Sequence, residues 1–408
     1  MTSSGAPGDP LLKIGIVVPR LTGGGAEFVA RQWADYLLEA GHDVTLITTH
    51  DPDPGAVDVP VVALLAQSFV ARARELRAHV SRSGYDVLLG MMPHWNLLVL
   101  LSTLGRPPRA PATLISGRNV EVPLQRIQGW SYRAELALCQ LLYRRADGYV
   151  SISHPVAAEA AGKYRLDPDR VWVVPNPATG KFSREVAGRR RPSRAWTDPP
   201  TVTLTVPARL VRQKRPELAV ETADVLRTQY GIEATVDYFG TGPDEALVRE
   251  VAARLAVPVT LRGWVTAWFD EAAEDAVVLL PSAAEGFANV LVEAAAAGIP
   301  SVASSRALGV ADAIVPNVTG VLTLGSDPAE FAAAVVRARR LAPVSEPQWL
   351  ERFSPEESGR QLLHVLRAVT RSPRARGDDT GAAVQSGTTP LPQDPAASTR
   401  KLTGREGS

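Results

Sequence analysis

Two glutamates flank a small-residue turn in the stretch SAAEGFANVLVEAAAAGIP, residues 282–300. The apolar run AVVLLPS before the turn predicts a buried strand, and the residues after it predict a helix that ends near Gly298. The first amides of a helix and its dipole form an anion site, and Gly286 lets a ligand approach the backbone closely. Seven residues separate Glu285 from Glu293, so the carboxylates lie up to ~12 Å apart along the helix axis and do not share one proton. One ligand fits both features if its phosphates meet the amides and its sugar hydroxyls meet the carboxylates.

A second strand end in the same part of the chain carries two cations. In PARLVRQKRPELAVETA a predicted strand stops at Arg209, and Lys214 lies in the loop before a helix that starts near Pro216. Together the two cations would neutralise a diphosphate. Both stretches also have a simpler interpretation, with Glu285 as an acid favoured by the helix dipole, Glu293 as an exposed helix residue and the cations as a solvated basic loop.

Length and composition limit the class of protein. The 408 residues suffice for two domains, and contents of 45% hydrophobic and 21% charged residues are typical of a globular protein. A formal net charge of +1 gives no overall field, so nucleic acid is not expected as a partner.

The single cysteine, Cys139, cannot form an internal disulfide, and its apolar helical context predicts a buried structural thiol. The N-terminus lacks signal-peptide features and the apolar runs are shorter than the ~20 residues of a spanning helix, so a cytoplasmic location is expected.

Strand and helix patterns alternate along the chain in two series. The first begins with KIGIVVP and the second with TVTLTVPARL, and KFSREVAGRRRPSRAWTDPP between them, rich in charge and proline, indicates a domain boundary. The predicted fold class is α/β, with two doubly wound parallel-sheet (Rossmann-like) domains that face a cleft. The predicted division is a disordered tail at 1–10, a first domain at 11–190, a second domain at 191–345, a helical segment at 346–371 and a disordered tail at 372–408. Whether the helical segment packs on the first domain is left open.

Taken in their order, these segments resemble the retaining glycosyltransferases of family 4, which have the GT-B fold. EGFANVLVEAAAAGIPSVAS resembles the E-x7-E element of that family, and PARLVRQKRPELAVE resembles its Gly-Arg-Leu…Lys segment, with Ala208 in the usual place of glycine. PRLTGGGAEFVARQWADYLLEAGHDVTLIT is similar to the opening strand, glycine loop and helix, and YFGTGPDEALV is similar to the middle of the donor domain. The resemblance covers roughly residues 13–370, and the combined order is more specific than any one motif.

The resemblance implies a role for each matched position. Glu293 would bind the ribose hydroxyls of a nucleotide sugar, and Glu285 would contact the transferred sugar near the reacting carbon. Arg209 and Lys214 would stabilise the departing diphosphate without a metal. Sugar and phosphate oxygens would be held by the turn formed by Gly286, Phe287, Ala288 and Asn289. Further donor contacts would come from a first-domain loop at Gly24 and Gly25 and, around the base, from Arg262, Gly263 and Trp264.

The acceptor side carries the main departure from the family. Many members have a histidine after the fourth strand of the first domain, whereas ISGRNVEVP has Arg118 and Asn119 there and resembles the subset with an Arg-Asn pair. His94, in MMPHWNLL, is a further acceptor-side candidate, and a structural or surface histidine is the alternative. The basic stretches ARARELRAH and GRRRPSR could contact anionic lipid at the inner membrane face or form solvated surface.

The sequence therefore predicts a metal-independent retaining glycosyltransferase of carbohydrate biosynthesis that uses no cofactor. Its partners would be a nucleoside diphosphate sugar, UDP-linked, as hexose donor and a saccharide, a lipid-linked molecule or a small natural product as acceptor. A nucleotide-sugar epimerase or phosphorylase on the same scaffold and a non-catalytic partner subunit remain alternatives. A nicotinamide-dependent enzyme is not expected, because TGGGAEFV and GTGP lack the G-x-G-x-x-G pattern.

Overall fold

A computed structural model describes residues 10–21, 24–50, 58–105, 110–121, 123, 129–182, 200–341 and 347–371 of the chain. All of these residues belong to one compact unit. Most of the two predicted tails and the predicted boundary between residues 190 and 191 lie outside the described residues, so those predictions stay predictions.

Parallel strands in two series form two sheets. The strands are β1 (Lys13–Val18), β2 (Asp43–Thr48), β3 (Val61–Ala63), β4 (Val87–Met91), β5 (Ala112–Gly117), β6 (Gly148–Ser151), β7 (Val171–Val173), β8 (Thr201–Val206), β9 (Glu233–Tyr238), β10 (Val259–Leu261), β11 (Ala276–Leu280), β12 (Ser301–Ser304) and β13 (Gly320–Thr323). The first sheet has the order β3-β2-β1-β4-β5-β6-β7 and the second the order β10-β9-β8-β11-β12-β13. Every neighbouring pair among these strands is parallel.

Helices connect the strands. They are α1 (Gly25–Glu39), α2 (Phe69–Ser83), α3 (Pro93–Thr103), α4 (Trp130–Leu142), α5 (His154–Tyr164), α6 (Glu217–Tyr230), α7 (Glu245–Leu255), α8 (Trp268–Glu271), α9 (Asn289–Ala296), α10 (Pro328–Ala338), α11 (Pro347–Glu351) and α12 (Pro355–Arg371). Short 3-10 turns lie at Tyr143–Arg145, Pro168–Arg170, Ala178–Lys181, Ser305–Ala307 and Gly309–Asp312.

Hydrophobic patterning explains why these elements form. Ile14 and Ile16 of β1 are fully buried, as the continuous apolar run predicts for a parallel strand covered on both faces. On α1 the side chains of Val29, Trp33 and Leu37 follow one another at four-residue spacing and are also fully buried. The prediction of an α/β fold with two doubly wound parallel sheets is confirmed.

In each sheet the strand order reverses beside the first strand of the series. β1 pairs with β2 and β4, and β8 pairs with β9 and β11. Loops that leave the carboxyl ends of two such strands diverge and create a crevice for a ligand. Arg209 and Lys214 follow β8 and Glu285 follows β11, so the fold brings these three predicted site residues to one crevice.

Residues 174–182 follow the last strand of the first sheet and lead towards the second sheet; we term them the crossing segment. After the second sheet the chain comes back to the first domain as α12. The crossing segment meets the return at Thr179, whose N–H donates to the carbonyl of Phe353 at 3.1 Å. Ser358 of α12 accepts a hydrogen bond from Trp33 Nε1 at 2.8 Å and donates one to the carbonyl of Pro175 at 2.5 Å. The apolar face of α12 is buried in the same hydrophobic cluster as α1 and β1, through Leu362, Leu366 and Val369.

Two further sequence predictions concern burial and apolar length. Cys139 is fully buried in α4, and this burial raises the pKa of its thiol to about 12, so the thiol is an inert structural group at neutral pH. Among the described helices, none combines the length and the apolar character that crossing a bilayer requires.

Candidate functional site

The carboxylate of Glu285 is fixed in the loop between β11 and α9. Its Oε1 accepts hydrogen bonds from Ser282 Oγ at 2.6 Å and from Lys214 Nζ at 2.5 Å, and the side chain is buried. The backbone of Glu285 is held as well, because its N–H donates to the carbonyl of Ala307 and its carbonyl accepts from the N–H of Gly309, both at 3.2 Å. The loop after β12 therefore supports this carboxylate at the crevice, next to a cation.

The loop after β8 is tied to the loop after β11, which explains why Lys214 reaches Glu285. The carbonyl of Gln213 accepts from the N–H of Ala283, and Gln213 Nε2 donates to the carbonyl of Ala284, both at 2.8 Å. Arg209 is exposed, and its side chain forms neither a hydrogen bond nor an ion pair within the described part of the chain. The crevice thus carries two cations, of which only one has a carboxylate partner, and it retains positive charge for an anionic ligand.

Glu293, within α9, is buried between two donors. Its Oε2 accepts a hydrogen bond from Trp268 Nε1 of α8 at 2.7 Å, and its Oε1 forms an ion pair with Lys181 Nζ at 2.8 Å. Lys181 is the last residue of the 3-10 turn in the crossing segment. Each carboxylate oxygen therefore has one donor, and each keeps further capacity to accept a hydrogen bond.

The turn before α9, residues 286–289, offers backbone groups to a ligand and has one buried aromatic side chain, that of Phe287. Ala288 adopts φ +70° and ψ +69° at the N-cap of α9, a left-handed conformation that is uncommon outside glycine. The ring of Phe287 is buried 5.3 Å from that of Phe353, so only the backbone of Phe287 remains for a ligand. Asn289 Oδ1 accepts a hydrogen bond from Asn176 Nδ2 of the crossing segment at 2.8 Å.

Gly286 lies directly against the first domain. A Cβ at this position would lie 2.3 Å from the carbonyl oxygen of Arg118, closer than the 3.0 Å that real Cβ atoms respect. Ser153 Oγ donates to the carbonyl of Gly286 at 2.6 Å. The close approach explains why glycine occupies the turn, and it places the predicted donor-side turn beside the predicted acceptor-side loop.

Arg118 is packed into the first domain rather than extended into solvent. Its guanidinium lies 4.7 Å from the ring centre of Trp33, and NH1 donates to Asn176 Oδ1 at 2.9 Å. Burial lowers the pKa of Arg118 to about 9, which leaves it cationic at neutral pH. Within the described part of the chain, Nε of Arg118 and Oδ1 of the neighbouring Asn119 are buried without a hydrogen-bond partner. Both groups therefore keep a hydrogen-bonding capacity that no described residue uses.

His94 and the two glycines of the first-domain loop lie at helix N-termini. The His94 ring, at the start of α3, lies 5.0 Å from the rings of both Phe69 and Trp95, and burial lowers its pKa. Gly24 caps α1, and a Cβ there would collide with the Glu27 carboxylate, 2.2 Å away. A Cβ at Gly25 would meet no atom within 4 Å among the described residues.

The segment predicted to meet the base follows β10. Arg262 is oriented by Asp237, since its NH2 and Nε donate to Asp237 Oδ2 at 2.7 and 3.0 Å. Gly263 has φ +73°, and the indole of Trp264 is 61% exposed. An exposed ring beside an oriented arginine offers a surface on which a planar base can stack.

Three contacts of this site were missed by the sequence analysis, namely those of Lys181, Trp268 and Asn176. Lys181 lies in the crossing segment and Trp268 in α8, and no spacing in the sequence relates either residue to Glu293. In the part of the chain that the structure describes, no group of three His, Cys, Asp or Glu side chains is arranged to hold a metal ion.

Two known protein families and several individual proteins are similar to this chain in sequence. Residues 23–178 match the family described as Glycosyltransferase Family 4, and residues 201–340 match Glycosyl transferases group 1. The chain is 27% identical over 358 residues to a D-inositol 3-phosphate glycosyltransferase of Pseudarthrobacter chlorophenolicus, a match that covers 76% of this chain and 81% of the relative.

Solved structures share the fold. A glycosyltransferase from Rickettsia africae superposes with a TM-score of 0.67 at 17% identity, over 88% of this chain and 98% of the other. The Anabaena protein HepE, in complex with UDP and glucose, superposes with a TM-score of 0.66 at 16% identity, over 88% of this chain and 100% of the other. The two sheets, their switch points and these neighbours place the chain in the GT-B fold class. Within that class the chain belongs to glycosyltransferase family 4.

Proposed function

We propose that this family 4 glycosyltransferase transfers a hexose from a UDP-linked donor to an acceptor hydroxyl, with retention at the anomeric carbon and without a metal ion or other cofactor. The observation that carries the proposal is the Glu285–Lys214 pair at the switch point of the second sheet, in which the Glu285 side chain is buried and Lys214 shares its loop with the exposed Arg209. The structural neighbour HepE, which is described in complex with UDP and glucose, supports the choice of donor.

The charges at the crevice match those of a nucleoside diphosphate sugar. The diphosphate would meet Arg209, Lys214 and the amides at the start of α9, while Glu285 would accept from a hexose hydroxyl and Glu293 from the ribose. When the bond between the anomeric carbon and the diphosphate oxygen breaks, the electron pair leaves with the diphosphate. Cations already positioned at that oxygen stabilise the charge as it develops and so lower the barrier.

Retention follows if the acceptor enters from the face that the diphosphate leaves. The acceptor oxygen then bonds to the anomeric carbon, and its proton passes to the departing diphosphate oxygen, so the chain itself supplies no base. The contact of Gly286 with Arg118 supports this arrangement, because it brings the acceptor-side loop to the donor turn.

For the acceptor we propose a saccharide, a lipid-linked molecule or a small polyol that meets Arg118, Asn119 and the region of His94. Arg118 and Asn119 each keep one buried polar atom without a partner in the described part of the chain. The P. chlorophenolicus relative is named for D-inositol 3-phosphate, and a buried cation such as Arg118 suits an acceptor with an anionic group. A panel of polyols with and without phosphate tests this choice, and equal activity on both would contradict it.

We also propose that the enzyme is cytoplasmic and that, if its acceptor is lipid-linked, it contacts the inner face of the membrane peripherally. Arg74 and Arg77, in the stretch ARARELRAH, are exposed on α2, whereas GRRRPSR lies outside the described residues. Co-sedimentation with anionic and with neutral vesicles tests the contact, and equal sedimentation with both would contradict an electrostatic one.

The experiment that tests the proposed reaction is a screen of nucleotide sugars with analysis of the products. We expect release of UDP from a UDP-hexose and, with an acceptor, a glycoside. An epimerised nucleotide sugar or a sugar 1-phosphate would instead identify the epimerase or the phosphorylase. If calorimetry detects no binding of UDP or GDP, the protein is better explained as a non-catalytic partner subunit.

A further inference from the structure

The crossing segment holds α9 through two side chains on one face of that helix. Asn176 donates to Asn289 Oδ1 at 2.8 Å, and Lys181 pairs with Glu293 at 2.8 Å. Because positions four apart lie on the same face of a helix, Asn289 and Glu293 are presented together to the segment that joins the domains. The segment thereby contacts the second domain at the side chain proposed to bind ribose.

Lys181 lies between the two domains. Its Nζ is 5.8 Å from the ring centre of Phe28 on α1 and 2.8 Å from Glu293 Oε1 on α9. The neighbouring Gly180 is close to Gln32 and Pro355, where a Cβ would meet Gln32 Oε1 at 2.4 Å and Pro355 Cγ at 3.1 Å. The backbone beside Lys181 is therefore closely packed, and the ion pair places its ammonium group at Glu293 before any ligand arrives.

The ion pair also decides what Glu293 can offer a ligand. The Glu293 side chain is 2% exposed and that of Lys181 is 20% exposed, so Lys181 covers the carboxylate on the side of the crossing segment. A carboxylate has about four lone-pair positions, and Lys181 and Trp268 use one on each oxygen. The remaining positions suffice for two vicinal hydroxyls.

We propose that Lys181 is a positioning residue for donor binding: it orients and charge-balances the Glu293 carboxylate so that this carboxylate accepts hydrogen bonds from the ribose hydroxyls of the nucleotide. The inference rests on the proposed function, since it deepens the role of Glu293. Without Lys181 the carboxylate would be buried with one donor and no cation, which makes it costly to keep in place. Loss of the lysine should therefore weaken the ribose contact and leave the base and diphosphate contacts intact.

The test compares UDP with 2′,3′-dideoxy-UDP, which lacks both ribose hydroxyls, by calorimetry on the full chain. We expect Lys181→Met to weaken UDP binding at least tenfold and to leave 2′,3′-dideoxy-UDP binding within about twofold of the unaltered protein, since tenfold corresponds to the ~1.4 kcal/mol of one good hydrogen bond. Glu293→Gln should weaken UDP to a similar extent, and the double variant should be no weaker than either single variant, because both act on one contact.

A matched control and a rescue separate positioning from loss of structure. Lys163→Met removes a comparable buried ion pair, Lys163 Nζ to Glu121 Oε2 at 2.9 Å, away from α9, and should not change UDP affinity. The only cysteine of the sequence, Cys139, is fully buried, so Lys181→Cys can be alkylated selectively with 2-bromoethylamine to restore an ammonium group. The alkylated protein should regain most of its UDP affinity.

Three results would overturn the inference: equal losses for UDP and 2′,3′-dideoxy-UDP, no loss for either, or no recovery after alkylation. Tighter UDP binding by Lys181→Met would also overturn it, because Lys181 would then block Glu293. A kcat that falls while the KM for the donor stays constant would contradict a role in binding. If the unaltered protein binds no nucleoside diphosphate at all, the proposed function fails and the inference with it, and that outcome is visible before any variant is made.

Discussion

Lys214 Nζ lies 2.5 Å from Oε1 of Glu285, although 71 positions separate the two residues in the sequence. The contact exists because β8 and β11 are neighbours in the second sheet, and Gln213 ties the loops that follow them. It joins a cation suited to a diphosphate to a carboxylate suited to a hydroxyl. The proposed reaction depends on this pair.

The pair predicts a large and specific loss of activity in two single variants. Lys214→Ala or Glu285→Ala should lower the rate of sugar transfer by about 10²–10³-fold, the range found when one pre-positioned charge-stabilising group is removed. Steady-state transfer with the best donor from the screen measures the loss. Arg212→Ala, at an exposed position of the same loop, is the matched control and should stay within about threefold. Near-normal turnover in both site variants would contradict the assignment.

The contact of Gly286 with Arg118 predicts that the fold does not tolerate even a methyl group at position 286. In Gly286→Ala the new Cβ would overlap the Arg118 carbonyl, so the turn must move and the transfer rate should fall at least tenfold, with a stability loss of about 1–3 kcal/mol. Gly162→Ala is the control, because a Cβ at Gly162, within α5, meets no described atom outside its own helix within 4 Å and should add up to ~1 kcal/mol of stability. Denaturant unfolding and transfer assays of both variants check this. An active and stable Gly286→Ala would show that the two loops do not need to touch.

The hydrogen bond from Trp268 Nε1 to Glu293 predicts that Trp268 stabilises the fold by more than the packing of its ring. Trp268→Phe keeps an aromatic ring but removes the donor to Glu293 Oε2, so the free energy of unfolding should fall by about 1–3 kcal/mol for a buried acceptor left without its partner. Donor affinity should fall in parallel. Trp130→Phe, at an indole that is 83% exposed, should leave both quantities unchanged. Equal stability of the two variants would show that the Trp268–Glu293 bond contributes nothing.

The half-buried ring of His94 predicts a pH dependence of stability. Burial, assisted by the nearby Arg72 and His50, lowers the pKa of His94 below its ordinary value of about 6.5. Between the two pKa values the unfolded chain binds more protons, so the free energy of unfolding is highest above the ordinary value and falls as the pH drops through that window. His94→Gln should make this slope shallower, though His42 and His79, whose pKa values burial also lowers, should preserve part of it.

Thermal unfolding between about pH 5 and pH 8 measures that slope. The exposed His364, replaced in His364→Gln, serves as the control for a change of side chain alone. An unchanged slope in His94→Gln would show that folding does not lower the pKa of His94, and it would contradict this prediction.

The sequence predicted much of the framework, because the physical signals involved are local. Apolar β-branched runs such as that of β1 are visible without a structure, and the resulting α/β fold is confirmed. The three-residue strand β3 was missed, since so short a run carries no periodicity. β13 was also not among the predicted strands.

The site was less predictable where contacts depend on how the chain crosses between sheets. Glu285 and Lys214 were proposed separately from two strand ends, and the structure brings them into contact. The partners of Glu293 could not be predicted, because Lys181 arrives from the crossing segment and Trp268 from a four-residue helix. The functional roles of all these residues remain predictions that the variants above test.

The most direct test of the central claim is an NMR measurement of the first sugar product formed from a UDP-α-hexose. In the presence of acceptor, or by slow hydrolysis without it, the unaltered protein should release UDP and form the α-configured product first. Lys214→Ala should show the same product at a rate about 10²–10³-fold lower. A β-configured first product would contradict retention, and an absence of turnover with every nucleotide sugar in the screen would contradict the proposed transfer itself.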